Sequence, residues 1–107
     1  MQFPARTQAR RQGFDRSRLP DPLTHYATEL DALRASGHNS GQSATARCPF
    51  HDDQHPSLSV NLDTGAFRCR VPACGVHGRD VLAFHMARYG LPFAAAAKAL
   101  GAWRTKT

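Results

Sequence analysis

The stretch CPFHDDQHPSLSVNLDTGAFRCRVPAC, residues 48–74, decides the fold. It opens on Cys48-Pro49-Phe50-His51 and runs on for seventeen residues, then closes on Cys69, four further residues and Cys74. A C-x2-H pair folds back in one tight knuckle and offers two donor atoms to one ion. A C-x4-C pair does the same with a slightly wider loop. Between them, Leu58, Val60 and Leu62 alternate with Ser57, Ser59 and Asn61, the period of a half-buried strand. Asp63-Thr64-Gly65 supplies turn residues, and 66–70 reads as the returning strand. The hairpin doubles the chain back and so brings the two knuckles together. Three thiols and an imidazole suit one tetrahedral zinc. The expected ligands are therefore Cys48, His51, Cys69 and Cys74. His55 and His77 are the alternatives to His51, which is preferred because its knuckle is shortest.

Composition points the same way. The chain has 107 residues, with 41% hydrophobic and 8% aromatic content. A domain of that size buries only roughly 60–68% of its unfolded surface, so it gains from a staple. Three cysteines cannot pair completely, and no apolar segment at the N-terminus reads as an export signal. The expected setting is thus a reducing, cytoplasmic one, in which clustered thiols serve as metal ligands. No apolar run approaches the ~20 residues that cross a bilayer, so no membrane role is expected. Fourteen Lys and Arg oppose eight Asp and Glu, for a net charge of +6. That balance favours a polyanionic partner.

Outside the central stretch the chain divides into two parts. Residues 1–20 hold Arg6, Arg10, Arg11, Arg16 and Arg18 against Asp15 alone and show no sustained period. They read as a flexible basic arm, with a solvated tail of no function as the alternative. Residues 21–107 read as one domain. Asp21-Pro22 is a helix start, and Leu23, Tyr26, Ala27, Leu30 and Leu33 form one apolar stripe ending before Gly37. Residues 38–43 are a polar loop, and 44–48 a short strand. Val81, Leu82, His85, Met86 and Tyr89 mark a helix ending near Gly90. A last helix runs from Pro92 to Gly101. His25 and His85 read as helix-packing residues. The fold class is small α+β: a zinc-ribbon-like antiparallel hairpin or sheet with flanking helices.

The residues C-P-F-H-D-D-Q-H-P-S-L-S-V-N at 48–61, F-R-C at 67–69 and C-G-V-H-G-R-D-V-L-A-F at 74–84 resemble the zinc-binding domain of bacterial and phage DnaG-type DNA primases. The resemblance covers roughly residues 22–101. The chain departs from the family pattern in placing four residues rather than two between the last cysteines, with no aromatic among them. The resemblance implies a module that engages single-stranded DNA template during primer synthesis.

The residues that fit this role are arginines for phosphates and aromatic faces for unstacked bases. Arg68 and Arg70 flank Cys69 on one face, Arg47 abuts Cys48, and Arg79 stands at a helix N-terminus, a favourable place for anions. Phe67 or Phe50 can stack a base or else pack the small core. Catalysis is not expected. Two-metal nucleotidyl transfer needs converging carboxylates, and Asp52-Asp53 is the closest acidic pair. No G-x-x-x-x-G-K-[ST] loop occurs. The expected function is therefore template binding without a polymerase domain. The alternatives are an interaction protein that docks on a separate primase catalytic subunit or replicative helicase, through the final helix and Trp103, and a non-catalytic remnant of a mobile element.

Overall fold

Alternation in the central stretch becomes two faces of one sheet. The computed structural model describes residues 13–35, 42–52 and 55–104. Within them five strands lie side by side in chain order: β1 (Arg34–Ala35), β2 (Ser43–Ala46), β3 (Leu58–Asn61), β4 (Phe67–Cys69) and β5 (His77–Gly78). Every neighbouring pair is antiparallel. The register aligns Arg34, Thr45, Ser59, Arg68 and His77 in one row, a residue from each strand. The adjacent row is Ala35, Ala44, Val60, Phe67 and Gly78, of which Ala44, Val60 and Phe67 are buried. Polar residues thus face water while apolar ones face a layer of helices.

Three helices make that layer: α1 (Pro22–Glu29), α2 (Val81–Tyr89) and α3 (Phe93–Ala99). Asp21 caps α1 by accepting from the Thr24 N–H at 3.1 Å, and Pro22 occupies the first turn. Asp80 caps α2 by accepting from the Ala83 N–H at 2.8 Å, and Gly90 ends it in the left-handed conformation. Phe84 of α2 is the hub of the core. Its ring meets Tyr26, Phe67 and Phe50 edge-on at centroid distances of 5.1, 5.4 and 5.6 Å. The buried Tyr26 hydroxyl donates to the Gly65 carbonyl at 2.6 Å and so ties α1 to the β3–β4 turn. Gly78 lets β5 approach this layer, because a Cβ there would lie 2.5 Å from the Phe67 ring and 2.8 Å from Ala83 Cβ.

The first helix does not continue through Leu33. It stops at Glu29, Leu30 turns to an extended conformation, and Arg34–Ala35 pairs with β2. Leu30 is still buried and Leu33 still packs on the core, so the apolar stripe is used without a third helical turn. The Arg47 N–H donates to the Asp31 carbonyl at 3.0 Å and fixes the turn between them.

The expected arm over residues 1–20 is also too long. Residues 1–12 lie outside the described residues, but the segment after them is packed on the domain. Asp15 N–H donates to the Ala102 carbonyl at 2.8 Å, Arg104 N–H to the Gly13 carbonyl at 2.7 Å, and the Phe14 ring meets Phe93 at 5.1 Å. An aromatic ring and a carboxylate that composition had averaged away attach this segment.

The final helix is not a free surface either. Ala96 and Ala97 are fully buried against Leu82, and Trp103 pairs with Phe14 while lying under the Lys98 ammonium. Two residues of the surface expected to dock a partner, Ala96 and Ala97, are thus spent on the domain's own second core, while Ala94, Ala95 and Trp103 remain half-buried.

Candidate metal centre

Two knuckles converge at one end of the sheet. Cys48 follows β2, Cys69 ends β4, and a turn places Cys74 beside them, with the N–H groups of Cys74 and Gly75 both donating to the Val71 carbonyl at 3.0 and 2.9 Å. Gly75 takes a φ of 60°, which lets the chain leave toward β5. This turn absorbs the four-residue spacing between the last two cysteines.

The donor atoms of Cys48, His51, Cys69 and Cys74 all lie within 4.8 Å of one another. Cys48 Sγ is 3.8 Å from Cys74 Sγ, and Cys69 Sγ is 3.4 Å from His51 Nε2. With Zn–S near 2.3 Å and Zn–N near 2.0–2.1 Å, a tetrahedron has S···S edges of about 3.8 Å and S···N edges of about 3.5 Å. Two of the six edges thus already have the lengths that one zinc requires, and the other four lie within 4.8 Å. The donor set is closed, as in a structural site.

The surroundings suit the charged ligands. The His51 Nδ1–H donates to the Asp52 carbonyl at 3.2 Å, which leaves the Nε2 lone pair facing the sulfurs. Burial pushes the Cys48 thiol up to about 12, against the pull of the Phe50 N–H. Burial acts in the same direction on Cys69 but is outweighed by the Ser57 hydroxyl, the Val71 N–H and His51, which bring it down to about 6. In each knuckle, then, the N–H two residues beyond the cysteine points back at its sulfur. The Ser57 hydroxyl stands 3.5 Å from Cys69 Sγ. His55 and His77 lie outside this cluster. His77 instead donates from Nδ1 to the Gly75 carbonyl at 3.1 Å.

A family model for the CHC2 zinc finger, the DnaG zinc ribbon, matches residues 32–105. The chain belongs to the CHC2 zinc-finger family. Similar proteins include the DNA primase of Chlamydia pneumoniae, 36% identical over 75 residues, covering 68% of this chain and 12% of the relative. The DNA primase of Mycoplasma genitalium is 30% identical over 64 residues, covering 60% of this chain and 9% of the relative. This CHC2 zinc finger therefore spans about a tenth of the length of the curated relatives it matches. Among solved structures, the zinc-binding and RNA polymerase domains of the Aquifex aeolicus primase match with a TM-score of 0.62 and 26% identity. That match covers 81% of this chain and 20% of the solved one.

The arginines flanking the zinc-finger cysteines divide into two groups. Arg68 and Arg70 are exposed and line a groove of about 1100 Å³ on the polar face, together with Ser59, Asn61 and His77. The Arg70 guanidinium also donates to the Pro56 carbonyl at 3.2 Å. Arg47 and Arg79 are exposed but do not line the groove. The helix N-terminus beside Arg79 is already filled by the Asp80 carboxylate, itself 3.0 Å from the Arg16 guanidinium.

Phe67 is not available as a stacking platform. It is 3% exposed and wedged between Phe84 and Phe50. Its alternation places it opposite Arg68, on the core side of the strand. Phe50 stacks on it at 6.5 Å and packs the same core. Sequence reading missed Arg34, which the unexpected β1 brings into the polar row with Arg68. The only signal for it was a basic residue in what looked like the end of a helix.

Among the described residues, no helix is long and apolar enough to cross a membrane.

Proposed function

We propose that this chain is a template-binding zinc module of a primase-type system, in which Cys48, His51, Cys69 and Cys74 hold one structural zinc and the polar sheet face contacts single-stranded DNA. The observation that carries this reading is the row Arg34, Thr45, Ser59, Arg68 and His77, which runs across all five strands beside a groove that Arg70 also lines. The Arg34 and Arg68 guanidinium groups, three strand spacings or roughly 14 Å apart, suit non-adjacent backbone phosphates of one strand, and the hydroxyls between them can accept or donate to sugars and base edges. Since Phe67 is internal, the contact is chiefly electrostatic. The exposed His77 ring lies in the groove with the arginines.

The zinc takes no part in chemistry in this reading. Four protein ligands leave no open position for a reactive water, so the ion fixes the relative placement of β2, β4 and the turn carrying Cys74. Primer synthesis itself falls to a catalytic region with converging carboxylates, and the module supplies the grip on the template. A reducing, cytoplasmic setting keeps the thiols available to the metal.

The test is a salt titration of binding to a single-stranded oligonucleotide. Log K should fall linearly with log salt, at about 0.7 for each phosphate contacted. Affinity that is negligible even at low salt, with the zinc in place, would remove template binding and leave docking on a primase or helicase polypeptide as the reading to pursue.

A further inference from the structure

A second group of metal-ligating side chains lies outside the zinc cluster, where α1 crosses α2. His25 and Glu29 are one turn apart on α1, and His85 stands opposite on α2. Each offers a donor atom, and the three atoms lie within 4.8 Å of one another. The two imidazole centroids are 5.6 Å apart. His25 Nε2 and His85 Nδ1 are both buried and have no hydrogen-bond partner. Buried ring nitrogens normally find a partner, and two orphaned ones beside a carboxylate ask what they face.

The carboxylate is held for the task. The Tyr89 hydroxyl donates to Glu29 Oε1 at 2.6 Å, which leaves Oε2 free to turn toward the histidines. Tyr89 in turn lies against the His85 ring at 4.7 Å. A ligand carboxylate oriented by a neighbouring hydroxyl is the usual support for a metal site. Burial holds His25 below the ordinary histidine value, opposed by Glu29 and reinforced by His85. Tyr89, which lies against His85, is about half exposed, which leaves a route from solvent.

We propose that His25, Glu29 and His85 form a second metal site for a borderline divalent cation such as zinc. Two imidazoles and one carboxylate suit such ions better than calcium or magnesium, which prefer all-oxygen sites. Unlike the thiolate site, this one supplies three protein ligands and leaves an open coordination position. A bound ion ties α1, which precedes the sheet, to α2, which follows it.

The experiment uses the full chain with its first zinc retained, titrated with Zn2+ in a non-chelating buffer by calorimetry, with histidine ring signals followed by NMR. The wild-type protein takes up one further equivalent and shifts the His25 and His85 rings. His85→Gln and Glu29→Gln each lose that equivalent while keeping the first zinc and the far-ultraviolet circular dichroism. Tyr89→Phe retains the site with affinity lowered roughly 10-fold or more, as expected on removing a supporting hydrogen bond. The proposal is overturned if the wild type takes up no further equivalent, or if the extra equivalent persists in folded His85→Gln.

Discussion

Cys69 Sγ lies 3.4 Å from His51 Nε2 across 18 residues of chain, and the β3–β4 hairpin between them is what closes that distance. The hairpin and the metal centre therefore depend on each other. Removing one ligand leaves three donors in a site built for four. Structural zinc contributes about 10–16 kcal/mol in small zinc peptides, against a net stability of about 5–15 kcal/mol for a typical domain. Cys69→Ala is expected to release zinc on dialysis and to lose the cooperative thermal transition. Zinc content and melting of the purified variant check both.

Zinc loading should expel protons. Cys48, pushed up to about 12 by burial, carries its thiol proton at pH 7 and must lose it to ligate zinc. Binding displaces the Cys48 proton, so apparent affinity falls as pH is lowered and the ligands compete with protons. Calorimetry in buffers of different ionisation enthalpy counts the release. At least one proton per zinc is expected at pH 7, and a count near zero contradicts the assignment of Cys48.

The aromatic hub carries much of the remaining stability. Phe84→Ala removes a fully buried ring that meets three others, a loss of about 3–5 kcal/mol. Tyr26→Phe is subtler, since it keeps the ring but strips the Gly65 carbonyl of its buried donor, for about 1–3 kcal/mol. Urea unfolding of the zinc-loaded variants measures both, and Tyr26→Phe should leave zinc content unchanged.

The arginines of the polar face should not behave alike. Arg68→Ala and Arg34→Ala remove members of the cross-strand row, and each should flatten the salt dependence of oligonucleotide binding by about 0.7 in slope. Arg79→Ala, away from the groove, should leave it nearly unchanged. An equal effect at all three positions would show that net charge alone drives binding, with no contribution from the ordered row.

The hairpin and its four donors were legible in the sequence because two local signals agree there: a period of two between Ser57 and Leu62, and short metal-ligand spacings on either side. The helix caps at Asp21 and Gly90 are equally local, and both act as expected. What was illegible depends on distant partners. Leu30 and Leu33 continue a helical stripe, yet β2 recruits Arg34–Ala35 into the sheet. Phe14 and Asp15 sit in an unpatterned basic stretch, and only Phe93, Trp103 and Ala102 give them a place. The alternation of β4 did place Phe67 on the side opposite Arg68. Reading it as a base-stacking ring gave its chemistry more weight than its parity.

The most direct measurement of the central claim is the amide NMR spectrum of the zinc-loaded chain before and after complete metal removal, with metal content measured on the same samples. Dispersed β-sheet resonances of residues 43–78 should collapse when the thiolate-bound zinc leaves and return when zinc is restored. Dispersion that persists in demonstrably metal-free protein would mean that the sheet stands without its ion.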